Sequence, residues 1–233
     1  MRKVVIEGEI FEKFPDFKRG IVLVKDAQNH SSNERINALL KGEVEEKSGK
    51  DLLSEDSVKA WEEAHRKFGS NPNKFPPSIK ALLKRVEKGS DLPFINSVVA
   101  LFNYISVKYF IPCGGDDAEQ VKGNFRLGFA NGKEHFIPLG GKDPERPFEG
   151  EVIYYDDESL NVMCRRWNWK NGENTKISER TRDMIINIDG IGSITSDTTK
   201  KARDEIAYFL EKECGAKVRV DLLEKEKGEI HLD

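Results

Sequence analysis

Three polar residues lie on what reads as one helical stripe: Asn96, Asn103 seven residues later, and Ser106 three further on. They border an apolar face built by Ile95, Val98, Phe102, Ile105 and Tyr109, so their side chains can point into a cleft at the edge of a core. The plain structural alternative is that they satisfy nearby backbone groups, as buried Asn commonly does. Immediately afterwards comes Pro112-Cys113-Gly114-Gly115-Asp116-Asp117, which reads as a tight turn. Its glycines let backbone N–H groups approach a ligand or an oxyanion closely, although glycine pairs are also common in ordinary turns. Cys113 has no histidine near it in sequence to activate a thiolate, so a structural thiol is the reading.

The segment Arg165-Arg166-Trp167-Asn168-Trp169-Lys170 is the most unusual in the chain. At strand period it puts Arg165, Trp167 and Trp169 on one face and Arg166, Asn168 and Lys170 on the other. Indole rings beside guanidinium groups suit stacking on an unpaired base while gripping phosphate, each stacked base contributing about 1–3 kcal/mol. Two tryptophans packed into a sheet core beneath a basic outer face would give the same pattern.

Several chemistries are excluded by pattern. Gly42-x6-Gly49-Lys50-Asp51 has two residues too many for a phosphate-cradling loop and lacks the hydroxyl that would hold magnesium. His30, His65, His135 and His231 are scattered without metal-ligand spacing, and no Gly-x-Ser-x-Gly elbow precedes a helix. Cys113, Cys164 and Cys214 are odd in number and far apart. The expectation is therefore no metal, no cofactor and no serine triad.

With 37% hydrophobic and 34% charged residues the chain has a globular balance. No signal-peptide pattern opens it and no run reaches the 18 apolar residues of a membrane span, so a cytoplasmic location is expected. A net charge of −3 argues against indiscriminate polyanion binding, so any RNA contact must be local. One stretch fits, Met163 to Arg182, with six basic residues against Glu173 and Glu179, although a solvated strand face would show the same charge.

To position these residues the chain offers two short strands, Val4 to Phe11 and Gly20 to Lys25. Four helices are expected between Glu34 and Tyr109, the third opening at Pro77 and the fourth spanning about Phe94 to Tyr109. Beyond them Asn124–Ala130, Glu134–Leu139, Glu151–Asp156, Leu160–Cys164 and Asp183–Ile188 read as strands. A helix from Asp197 to Cys214, closed by Gly215, and a strand over Lys217 to Leu223 follow, and 224–233 reads as a loose charged tail. Helices segregated before strands argue for an α+β domain, and no linker divides residues 1–233, so one domain is expected.

Pro77-Ser78, Arg85, Leu92-Pro93-x-Ile95-Asn96, Asn103-Tyr104, Pro112, Gly140, Gly150-Glu151, Arg165-Arg166-Trp167-Asn168-Trp169, Thr175 and Thr181 stand in an order that resembles one family. It is the group of stand-alone relatives of the tRNA-binding and editing domain of the phenylalanyl-tRNA synthetase beta subunit. The resemblance runs from about Phe11 to Ile191, with 192–223 as a C-terminal helix and strand extension. It implies a three-layer sandwich of helices on a mostly antiparallel β core. By match, Gly172-Glu173 takes the place of the pocket glutamate that reads the misplaced amino acid. Gly114 stands where the synthetase domain has a pocket histidine, Phe102 where it has a threonine and Ala100 where it has an aspartate, which leaves the substrate amino acid and the chemical step open.

The function this implies is deacylation of wrongly charged aminoacyl-tRNA, with the tRNA acceptor end as partner and no ligase activity. Asn103, Gly114, Gly115 and Glu173 are the expected catalytic groups: Asn103 for the water, the glycine amides for the oxyanion, Glu173 for the amino acid. Asn96, Ser106, Asn168 and Thr175 are expected to bind substrate, and Arg165, Arg166, Trp167, Trp169 and Lys170 to bind RNA. Two alternatives stay open at this point, a non-catalytic tRNA-binding module and an amino-acid-sensing or protein-interaction domain.

Overall fold

Ten strands, six α-helices and one short 3-10 helix (Ala118–Gln120) make up the computed structural model, which describes residues 2–232; Met1 and Asp233, the ends of the expected domain, lie outside the described residues. The chain runs β1 (Lys3–Ile6), α1 (Gly8–Lys13), β2 (Lys18–Lys25), α2 (Glu34–Lys47), α3 (Asp56–Lys67), α4 (Ser78–Glu87), α5 (Ser97–Tyr109), β3 (Cys113–Asp117) and β4 (Phe125–Phe129). It continues through β5 (Val152–Asp156), β6 (Val162–Arg165), β7 (Lys170–Asn171), β8 (Met184–Gly190), α6 (Ser196–Cys214), β9 (Lys217–Leu223) and β10 (Glu229–His231).

The strands form a six-stranded sheet, β10-β1-β4-β5-β6-β7, and a four-stranded sheet, β3-β8-β2-β9. Every pairing is antiparallel except β1 with β4. α5 packs on β3 and α6 on β2, β8 and β9, while Arg19 of β2 reaches Tyr154 of β5 between the two sheets. The result is the expected α+β architecture of helices, sheet and sheet. All seven residues of β8 are buried, as a strand covered on both faces requires.

Local rules account for the helix ends. Asn96 caps α5 by accepting the N–H of Val99, and Thr195 caps α6 by accepting that of Thr198. Gly215 stops α6 in the left-handed region, where glycine lacks the usual steric penalty.

Four expectations are corrected. The strand over 4–11 ends at Ile6, because Ile10, Phe11 and Phe14 bury one face at helical spacing and α1 forms instead. The strand over 134–139 makes only isolated bridges, at His135, Phe136 and Pro138, and Pro138 has no N–H to extend a ladder. The supposed turn at 113–117 is edge strand β3, paired with β8. The tail is partly ordered, since β10 adds to β1 and Lys3 Nζ meets Glu229 Oε1 at 2.6 Å.

Candidate functional site

A cleft of about 790 Å³ opens between α5, β3 and the segment 171–180. Val99 and Phe102 give it an apolar wall, and Ile95 and Leu139, 59% and 50% exposed, flank it. Such a mainly apolar hollow with a few converging polar groups is the usual form of a small-molecule site. Asn103 lines it, and its amide makes no hydrogen bond to the described residues. Asn96 lines it too, but its side chain is largely spent on the α5 cap and on Ile177 O at 3.5 Å. Ser106 does not: buried under the helix, its Oγ accepts the Cys113 N–H at 3.1 Å, which ties β3 to α5.

The edge strand decides which glycine amide is available. Pro112 O accepts from Asp189 N–H, whereas the N–H groups of Cys113 and Asp117 go to Ser106 and to Thr175 O. Antiparallel alternation therefore turns Gly114 toward β8 and Gly115 away from it. Of the two expected oxyanion donors only the Gly115 N–H faces outward. A Cβ on Gly115 would lie 2.8 Å from Ile185 O and 3.1 Å from Phe102 Cζ, so only glycine lets strand and helix sit this close.

Behind β3 lies a smaller chamber of about 90 Å³, bounded like the cleft by Ser78, Cys113, Gly114, Gly115, Asp116 and Asn171. Asn168 Nδ2 and Asn187 Oδ1, both from residues lining the chamber, are buried without a hydrogen-bond partner among the described residues. Asp189, also in its wall, is fully engaged: it takes two bonds from Arg19, one from the Tyr154 hydroxyl and one from Trp167 Nε1 at 3.2 Å. Asp116 is different. Its Oδ1 accepts the Thr175 hydroxyl at 2.6 Å, and burial first, then neighbouring Asp117, push its carboxyl up to about 7 against the opposing pull of Thr175 and Arg19. Burial likewise raises the Cys113 thiol, so it is held protonated rather than nucleophilic.

Neither Asp116 nor Asn187 was singled out from sequence. The only signal was the Asp after the glycine pair; Asn187 sits mid-strand among isoleucines and becomes visible only when β8 is paired.

Several expected site residues are placed elsewhere. Glu173 does not line the cleft, though Gly172 and Lys176 do. Its carboxylate accepts the Gly140 N–H at 2.8 Å and pairs with Lys176, which together hold it below the ordinary glutamate range and make it a loop clip. Thr175 is buried and spends its hydroxyl on Asp116, so it does not contact a ligand in the cleft.

The basic aromatic segment is not a strand with two faces. Residues 166–169 turn between β6 and β7, with Arg166 and Trp167 in left-handed conformation at φ of 47° and 64°. Trp167 is wholly buried against Phe14, Phe17 and Trp61, with ring centroids 4.8–5.0 Å apart, so it cannot stack on a base. Arg165 is buried too and bonds Glu151 through two nitrogens and Glu145 through a third, so it cannot grip phosphate. Asn168 is buried, its Oδ1 3.2 Å from His65 Nε2. Arg166 lies 3.7 Å over the Phe75 ring, and Trp169 and Lys170 stay half-exposed beside it. The exposed cations at the cleft are Lys176 and Arg180.

Among the described residues no three His, Cys, Asp or Glu side chains are grouped to hold a metal ion, and no helix is long and apolar enough to cross a membrane. The family model of the B3/4 domain matches residues 60–220, which takes in α4, α5, β3, β8 and every wall of the cleft. This chain belongs to the B3/4 domain family. The B3/4 chain is 24% identical over 115 residues to the phenylalanine–tRNA ligase beta subunit of Fusobacterium nucleatum subsp. nucleatum, a match covering 49% of the chain and 14% of the relative. Its fold is similar to that of an N-terminal fragment of the phenylalanyl-tRNA synthetase beta subunit from Pyrococcus horikoshii, with a TM-score of 0.51 and 14% identity over 93% of this chain and 50% of that one. The B3/4 chain thus spans half or less of the length of these relatives, and the likeness to the solved fragment concerns fold alone.

Proposed function

We propose that this B3/4 domain hydrolyses the ester joining an amino acid to the terminal adenosine of tRNA. The observation that carries the reading is the 790 Å³ cleft, large enough for an aminoacylated nucleoside and lined by an unengaged amide, Asn103, beside an outward-facing edge amide, Gly115. Asn103 orients a water, and the Gly115 N–H takes the charge that develops on the carbonyl oxygen, a contact typically contributing about 10²–10³ in rate. The amino-acid side chain enters the chamber behind Gly114, where the unpaired Asn168 and Asn187 atoms favour a group that can both donate and accept hydrogen bonds. Lys176 and Arg180 meet the phosphates of the acceptor end at the cleft mouth.

The relation to the phenylalanyl-tRNA synthetase beta subunit supports tRNA as the ligand, and the cleft supports chemistry on its charged end. A panel of aminoacyl-tRNAs, each carrying a different amino acid, tests both on one sample. Faster loss of the ester for a subset, reduced about 10²-fold by Asn103→Ala, is the expected result. Binding of tRNA with no acceleration of any ester would replace this reading by a non-catalytic tRNA-binding module.

A further inference from the structure

We propose that Asp116 is the base that takes a proton from the attacking water and that Thr175 is the residue positioning it; this rests on the ester-hydrolysis reading above. Asp116 follows Gly115 directly, so the carboxyl and the outward amide belong to one short stretch of edge strand where the cleft meets the chamber. Thr175 holds Oδ1 at 2.6 Å, and Oδ2 makes no hydrogen bond to the described residues. One oxygen is anchored and the other is free for a water.

A structural explanation of this carboxyl is weak. Asp116 is 8% exposed and has no ion-pair partner among the described residues, and burying an uncompensated carboxylate destabilises a fold. The carboxylates around it have evident structural work. Asp189 is committed to Arg19, Asp117 accepts from Glu119 N–H and Thr181, and Glu173 is clipped to Lys176 and Gly140. His65 is buried beside Asn168 and pushed down to about 4 by burial, and Cys113 is held protonated. Asp116 is left as the group at the cleft whose titration falls near neutral pH, as an efficient base requires.

The groups acting on it come from several elements. Asp117 on its own strand raises its affinity for a proton, while Arg19 of β2 and the Thr175 hydroxyl lower it. Cys164 of β6 also feels its charge. In the reaction, the water oxygen bonds the ester carbonyl carbon as one of its protons passes to Asp116, and the carbonyl oxygen takes up the negative charge at Gly115. Collapse breaks the bond to the ribose oxygen, which leaves with its electron pair and receives the proton from Asp116. The products are a free carboxylic acid and a ribose hydroxyl, with Asp116 ionised again.

The test is the pH dependence of deacylation, using whichever aminoacyl-tRNA of the panel the wild-type chain hydrolyses fastest. The rate should rise about tenfold per pH unit below neutrality and level off above a midpoint near 7. Asp116→Asn should lose about 10²–10⁴ of the plateau rate together with that pH dependence. Thr175→Val removes a bond that favours the ionised form, so its midpoint should move to higher pH while a well-folded chain still reaches a plateau. An unchanged profile in Asp116→Asn overturns the proposal. Should that variant fail to fold, an unmoved midpoint in Thr175→Val does so instead. If the wild-type chain hydrolyses no ester, the parent reading falls as well; a pH profile insensitive to Asp116 removes this inference and leaves that reading standing.

Discussion

Arg19 and Asp189 stand directly opposite each other on β2 and β8, joined by bonds of 2.7 and 3.0 Å with neither side chain appreciably exposed. Asp189 also receives the Tyr154 hydroxyl and the Trp167 indole, so one carboxylate ties the four-stranded sheet to β5 and to the turn after β6. Asp189→Ala would leave a guanidinium buried without its partner and should destabilise the fold by about 3–5 kcal/mol. A double replacement, Arg19→Met with Asp189→Leu, should recover part of that loss because no charge then remains buried. Urea midpoints of the wild type and the two variants provide the check; a double variant no more stable than Asp189→Ala would contradict this account of the pair.

The two tryptophans of the basic segment should behave oppositely. Trp167→Ala removes a fully buried ring and should cost about 3–5 kcal/mol of stability. Trp169 packs edge-on against Phe75 and is half-exposed, so Trp169→Ala should leave the fold nearly intact and weaken tRNA binding if that ring meets a base. Thermal melts paired with tRNA titrations separate the outcomes, and equal stability losses would refute the contrast.

For the proposed tRNA binding, the informative cations are Lys176 and Arg180 rather than Arg165. Each that meets a phosphate should lower the slope of log binding constant against log salt by about 0.7–0.9 when changed to Ala. Arg165→Ala should instead appear as lost stability, since Glu145 and Glu151 are left unpaired. A salt series of filter-binding curves reads this directly, and slopes unaltered by both cleft substitutions would move the RNA elsewhere.

Two buried groups should impose opposite pH dependences on stability. His65 falls from 6.5 to about 4 because burial disfavours its cation, so the unfolded chain binds more protons between those values and stability drops as pH falls. Asp116 rises from 3.8 to about 7, so the folded chain holds the extra proton and stability drops as pH climbs through that interval. The wild-type melting temperature should therefore vary little between about pH 4 and 6.5, where the two effects oppose. Asp116→Asn should sharpen the loss at acid pH, and His65→Gln should reverse the slope. A melting series in which neither variant alters the slope would contradict both assignments.

The sequence by itself determined the helices over 34–109, the long C-terminal helix with its glycine stop and the α+β segregation, because spacing, caps and breakers act within a few residues. It also marked Asn103 and the glycine pair as candidates. Contacts distant along the chain settled the rest. Glycine-rich 113–117 became a strand because β8 offered an edge, and that pairing chose Gly115 over Gly114 and brought Asp116 to Thr175, 59 residues away. Trp167 and Arg165 became core because Phe14, Phe17, Trp61 and Glu151 converge on them from separate elements. Whether an indole or a guanidinium meets solvent or a buried partner depends on what the fold brings against it, and no local pattern carries that information.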